Sequence, residues 1–175
     1  MAKTKARPNV YAFIDSQNLN LGVKSQGWKL DFTKFHRLLK DKYQVKKAFL
    51  FIGFIPTNAS LYTKLQEDGY VLVYKPVLLA KHKTKKAFVK GNVDAELVLH
   101  AMIQYRNYDQ AVIVTGDGDF HCLVEYLQSQ GKLKKIIVPN LKYSSLLRQY
   151  AKHIVNISQF KNKVQGQKKR GIPSG

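Results

Sequence analysis

The stretch AVIVTGDGDF, residues 111–120, sets a run of apolar residues directly before two aspartates that stand one residue apart. A short continuous apolar run reads as a strand buried on both faces. Behind it, Phe120, Leu123, Val124 and Leu127 follow the i, i+3, i+4, i+7 spacing of a helix with one buried face. Strand, acidic loop and helix together make the repeating unit of a parallel sheet, because a parallel partner strand is reached only through a crossover. The two carboxylates repel and raise each other's pKa, so the loop needs a reason to hold both.

The same unit recurs outward from this stretch. Residues 10–15, VYAFID, read as a strand, followed by a helix with Asp31 as its N-cap and Phe32, Phe35, Leu38 and Leu39 on one face. A second strand spans 47–54. Residues 56–69 read as a helix capped by Thr57 or Asn58 and stopped by Gly69, and 70–75 as a third strand. A basic connection leads to a helix over 92–106 and the fourth strand at 110–116; for Asp119, capping of the helix that begins at Phe120 is one of two compatible readings. A fifth strand at 135–139, a short helix at 143–151 and a sixth strand at 153–157 complete the pattern. The expected fold class is α/β, a three-layer α/β/α sandwich with a mainly parallel central sheet.

The 175 residues, 45% of them apolar, suit one domain, expected over 9–160 between a basic arm at 1–8 and a basic, disordered tail at 161–175. No run of about 20 apolar residues exists to span a bilayer, and the basic start MAKTKARPNV lacks the apolar core of a secretory signal. A cytoplasmic location is the expectation, with no membrane partner. The lone Cys122 makes neither an internal disulfide nor a paired metal knuckle, and reads as a small buried hydrophobe. The formal charge is +19; taking away the eight basic residues of the two ends leaves 22 basic against 11 acidic residues in the body. Such an excess attracts polyanions, RNA first and DNA second.

In an open parallel sheet, ligands bind beyond the carboxyl ends of the strands, at the switch in strand order. Asp15 ends the first strand, Asp117 and Asp119 follow the fourth, and Asp94 lies in the first turn of its helix, so the four are expected on one edge. A bare carboxylate cluster is unstable, and a hard divalent cation, Mg²⁺ or Mn²⁺, is its ordinary resolution. A carboxylate-held ion in a cationic protein suits phosphodiester cleavage, with Asn18 and Thr115 in support. Each acid also has a purely structural use, as a cap, a dipole partner or a turn residue. An EF-hand starting at Asp117 would need Gly and Glu where Cys122 and Gln128 stand, and a dinucleotide loop would need Gly in place of His121. A receiver domain would pair two acids near the first strand, where only Asp15 is found.

From about residue 9 to 158 the chain resembles the NYN domains, the LabA-like branch of the PIN-like ribonucleases. The resemblance rests on FIDSQNL (13–19), on KGNVDAELVLHAM (90–102) and on VTGDGDF (114–120). It implies a PIN-like fold and a Mg²⁺- or Mn²⁺-dependent endoribonuclease, with Asp15, Asp94, Asp117 and Asp119 as catalytic and metal-binding acids. His100 stands where many relatives carry a second helix aspartate; six residues is about 9 Å along a helix, so it reads as a surface or supporting residue. Between Lys75 and Lys90 lies a lysine-rich connection in which Lys81, Lys83, Lys85, Lys86 and Lys90 are the expected RNA-backbone contacts. The second functional class is an RNA-binding regulatory module that does not cut. The residues leave a homodimer open.

Overall fold

The computed structural model describes residues 7–75 and 94–167. Its centre is β1, Val10–Asp15, every residue of which is buried. Around it lie β2 (Val45–Gly53), β3 (Tyr70–Lys75), β4 (Gln110–Val114), β5 (Leu133–Val138) and β6 (Ile154–Asn156). These six strands, among the described residues, form one sheet in the order β3-β2-β1-β4-β5-β6, with every pair parallel. Expected and observed strands agree to within a few residues.

The helices divide into two layers according to which face of the sheet they bury. Helices α1 (Ser16–Lys24), α2 (Phe32–Tyr43), α3 (Ala59–Glu67) and α6 (Lys161–Val164) send Leu19, Phe35, Leu65 and Val164 into one core with Ile14 and Leu50. On the other face, α4 (Asp94–Ile103) and α5 (His121–Ser129) pack Leu97, Ala101 and Leu123 against Phe13 and Ile113. The chain is therefore an α/β/α sandwich, and its direction of winding reverses between β1 and β4. That reversal is the topological switch point at which such folds bind ligands.

Local chemistry explains the boundaries. The Asp31 carboxylate accepts from the Lys34 N–H at 3.0 Å and starts α2. Gly69, at φ +101°, takes the left-handed turn that ends α3. Asn58 stands at the N-cap of α3 but makes no capping hydrogen bond. Tyr108 donates to the Ala101 carbonyl at 3.0 Å, tying the end of α4 to the approach to β4.

Several expectations are corrected. Helix α1, which follows β1 without a break, was not anticipated, because its sequence SQNLNLGVK is largely polar. Asp119 does not cap α5: Asp117 instead caps the short 3₁₀ turn Gly118–Phe120 that precedes it. Cys122 is exposed, since it lies off the helix stripe that buries Leu123, Val124 and Leu127. The tail does not begin at 161: α6 buries Val164, and Leu30 bridges to Gln165. The remainder of the tail, from 168, and the lysine-rich connection lie outside the described residues.

Phe13 is fully buried and stacks on Phe49 with ring centroids 5.3 Å apart. Removing a ring at the centre of a close-packed sheet leaves a cavity that neighbouring strands cannot close. Phe13→Ala should lower unfolding stability by about 3–5 kcal/mol, read as a shift of the urea midpoint at unchanged slope.

Candidate metal centre

At the switch point, Ile14 pairs with Val114, so the next residues, Asp15 at the end of β1 and Thr115 just past β4, follow side by side. Asp15 caps α1, accepting from the Asn18 N–H at 3.1 Å. Its other oxygen faces the Thr115 hydroxyl at 3.4 Å, and that hydroxyl in turn accepts from the Asp117 N–H at 3.1 Å. Asn18 reaches across the gap as well, its Oδ1 accepting from the Gly116 N–H at 2.8 Å. The Asp119 N–H closes the turn onto Asp117 Oδ1 at 3.0 Å. Each expected site residue in this loop is held by a bond to another.

The loop positions three carboxylates together. One oxygen each from Asp94, Asp117 and Asp119 lies within 4.8 Å of the others. Asp94 comes from the first turn of α4, which lies on the same face of the sheet as α5, the helix into which the Asp117–Asp119 loop leads. Asp15 is outside this oxygen set: it lies beneath, 5% exposed, with its two oxygens turned to Asn18 and Thr115. Thr115 is fully buried and likewise points inward, joining the acids from below. His100 is not part of this cluster; its ring meets Phe51 edge-on, with centroids 5.7 Å apart.

The electrostatics record the crowding. Burial pushes Asp15 up to about 6, the Asn18 N–H opposes this, and the charges of Asp94 and Asp117 add to the rise. Asp94 is also raised, first by partial burial, then by Asp117 and Asp119, while Lys75 at the end of β3 pulls it back. Lys75 acts here electrostatically, and its place at a strand end was the signal for it. All donors are carboxylate oxygens, a set that suits a hard divalent cation, and an ion among them would relieve the repulsion.

Gly118 lies between the two aspartates for a steric reason. A Cβ there would overlap Ser144 Oγ and lie 3.0 Å from Ser144 Cβ. Ser144 belongs to the segment after β5, and its N–H donates to the Gly116 carbonyl at 2.9 Å. The segment braces the acidic loop from outside, and glycine is what lets it approach.

A family model for the NYN domain matches residues 9–158, and the chain belongs to that family. It is similar to the low amplitude and bright protein LabA of Synechococcus elongatus, 23% identical over 140 residues that cover 71% of this chain and 70% of that one. It is similar in fold to a crystal structure of a protein of unknown function from Vibrio parahaemolyticus, with a TM-score of 0.72 and 22% identity, covering 94% of this chain and 99% of that one. The fold is the three-layer, PIN-like α/β/α sandwich. Among the described residues, no helix is long and apolar enough to cross a membrane.

Two outcomes follow from this geometry. Gly118→Ala should displace Asp117 from Asp119 and weaken Mn²⁺ binding, measured by calorimetry, while circular dichroism stays unchanged. Asp15 binds its proton more tightly folded than unfolded, so its contribution to stability declines as pH rises from 3.8 through about 6 and stays lost above. With a chelator present, Asp15→Asn, which keeps a capping oxygen, should therefore melt higher than the parent at pH 7.5. The gain should be on the order of 1–3 kcal/mol and vanish as the pH approaches 4.

Proposed function

We propose that this NYN domain is a metal-dependent endoribonuclease that hydrolyses RNA phosphodiester bonds. The observation that carries the reading is the convergence of Asp94, Asp117 and Asp119 at the switch point, with ligand oxygens within 4.8 Å of one another. These three would hold Mg²⁺ or Mn²⁺. When bound, the ion supplies charge neutralisation at the scissile phosphate and a lowered pKa for attacking water.

The remaining features belong to the chain itself. Thr115 and Asn18 fix the loop so that Asp117 and Asp119 are aimed before substrate arrives, which avoids reorganisation during reaction. Asp15, buried below the trio, adds negative charge that favours a cation above it. Lys75 borders the acids, and the body's excess of 22 basic over 11 acidic residues draws a polyanion toward that edge. Lys81, Lys83, Lys85, Lys86 and Lys90, which lead into α4, remain the proposed backbone contacts.

The second reading, an RNA-binding module that does not cut, draws on His100, which occupies an apolar contact with Phe51 and adds no carboxylate to the cluster. The two are separated by incubating single-stranded and structured RNA with the protein and Mn²⁺, with a chelator, or with Asp117→Asn. The nuclease reading expects Mn²⁺-dependent cutting that Asp117→Asn reduces by more than about 100-fold, beyond the usual effect of an outer-shell change. Binding without cutting in every arm, by a protein whose melting is normal, would establish the module instead. DNA of the same sequence, offered in parallel, reports substrate choice.

A further inference from the structure

Two large aromatic residues are set at the surface on the carboxylate edge of the sheet. Phe54 is 45% exposed and Tyr74 40% exposed. They form a trio with Tyr62. Phe54 lies nearly parallel to Tyr62, with centroids 5.8 Å apart and planes at 25°. Tyr74 meets Phe54 edge-on at 5.5 Å and Tyr62 at 5.2 Å. Tyr62 is the fixed floor: it is buried, donates to the Gly53 carbonyl at 3.1 Å and accepts from the Ile55 N–H at 2.8 Å. Phe54 rests on that floor and keeps nearly half of its surface exposed.

Position gives the trio its meaning. Phe54 follows β2 directly, held by its N–H to the Lys75 carbonyl at 3.0 Å, and Tyr74 is the penultimate residue of β3. Asp15 pairs with Phe51 on β2, so Phe54 is three residues further out and one strand across. At strand spacings that places its backbone on the order of 10 Å from that of Asp15. Residues 54–66 contain neither Asp nor Glu, and Lys75, which acts on Asp94, lies on the same edge.

A ligand for this surface should offer flat aromatic faces and negative charge together. Unpaired nucleotides do so: their bases stack on aromatic side chains and their phosphates favour a lysine-bearing edge. A duplex hides its base faces in the stack. We propose that Phe54 and Tyr74, on the Tyr62 floor, form a base-stacking platform that selects unpaired RNA for the carboxylate site. This rests on the reading of the protein as RNA-directed.

The test is fluorescence anisotropy of the full chain with an unstructured labelled RNA and with a duplex of equal length, in chelator so that no cutting intervenes. Phe54→Ala with Tyr74→Ala should weaken single-strand binding by about tenfold or more and leave the duplex unchanged. Phe54→Tyr, which keeps a ring, should stay within about twofold of the parent. Unchanged single-strand affinity in the double variant, or equal loss on both RNAs, would overturn the platform. So would a parent dimer in sedimentation that the double variant turns into monomer, since the rings would then be a self-association surface. Both replaced residues are exposed, and matching thermal melts verify the fold. Cutting in Mn²⁺ is scored separately: ring-dependent binding without cutting supports the platform and removes only the nuclease reading. Cutting with ring-independent binding does the reverse.

Discussion

The parallel pairing of β1 with β4 is the constraint on which the site depends. It brings together residues 15 and 115, far apart in sequence, at the point where the winding of the fold reverses. Asn18 from α1 and Gly116 from the loop after β4 meet above that seam. The Thr115 hydroxyl lies on it, donating a hydrogen bond to Asp15 and accepting one from the backbone N–H of Asp117. A single buried oxygen thus couples the end of the first strand to the acidic loop of the fourth.

The arrangement sets electrostatics against packing. Three carboxylates lie close together and a fourth is buried beneath them, and the raised pKa values of Asp15 and Asp94 register the repulsion and desolvation that result. Two apolar cores, one on each face of the sheet, hold the strands in place regardless. Loop N–H groups that donate to Asn18, Thr115 and Asp117 then hold the Asp117–Asp119 turn in shape. Rigid support under mutually repelling carboxylates is the condition a cluster must meet to select a cation.

Much of this was legible from residue order. The apolar runs ending in Asp15 and preceding Asp117 marked parallel strands, and the strand-end rule then put distant acids on one edge. What escaped was whatever periodicity does not encode. Helix α1 buries only Ser16, Leu19 and Val23, too thin a stripe to register in a polar segment. Asn18 and Thr115 were expected to support the chemistry, but residue type alone did not tell that both turn inward to bind the loop. Asp15 was grouped with the other acids because sequence gives an edge and not a depth. Tyrosine and phenylalanine counts likewise gave no means of separating the ring at position 13, sealed in the core, from that at position 54.

The strand order has a consequence for biosynthesis. On a ribosome β1, β2 and β3 emerge first and can pair as consecutive neighbours, whereas β4 must wait until residue 114 and then join the far side of β1. Half of the central strand's bonding edge stays open throughout that interval, and the contacts that close it are long in sequence and slow to form. The cluster of acids cannot exist before this closure, because Asp117 and Asp119 have not yet been made when Asp15 and Asp94 are already exposed. A nascent chain that ends before residue 117 is without its three-carboxylate centre.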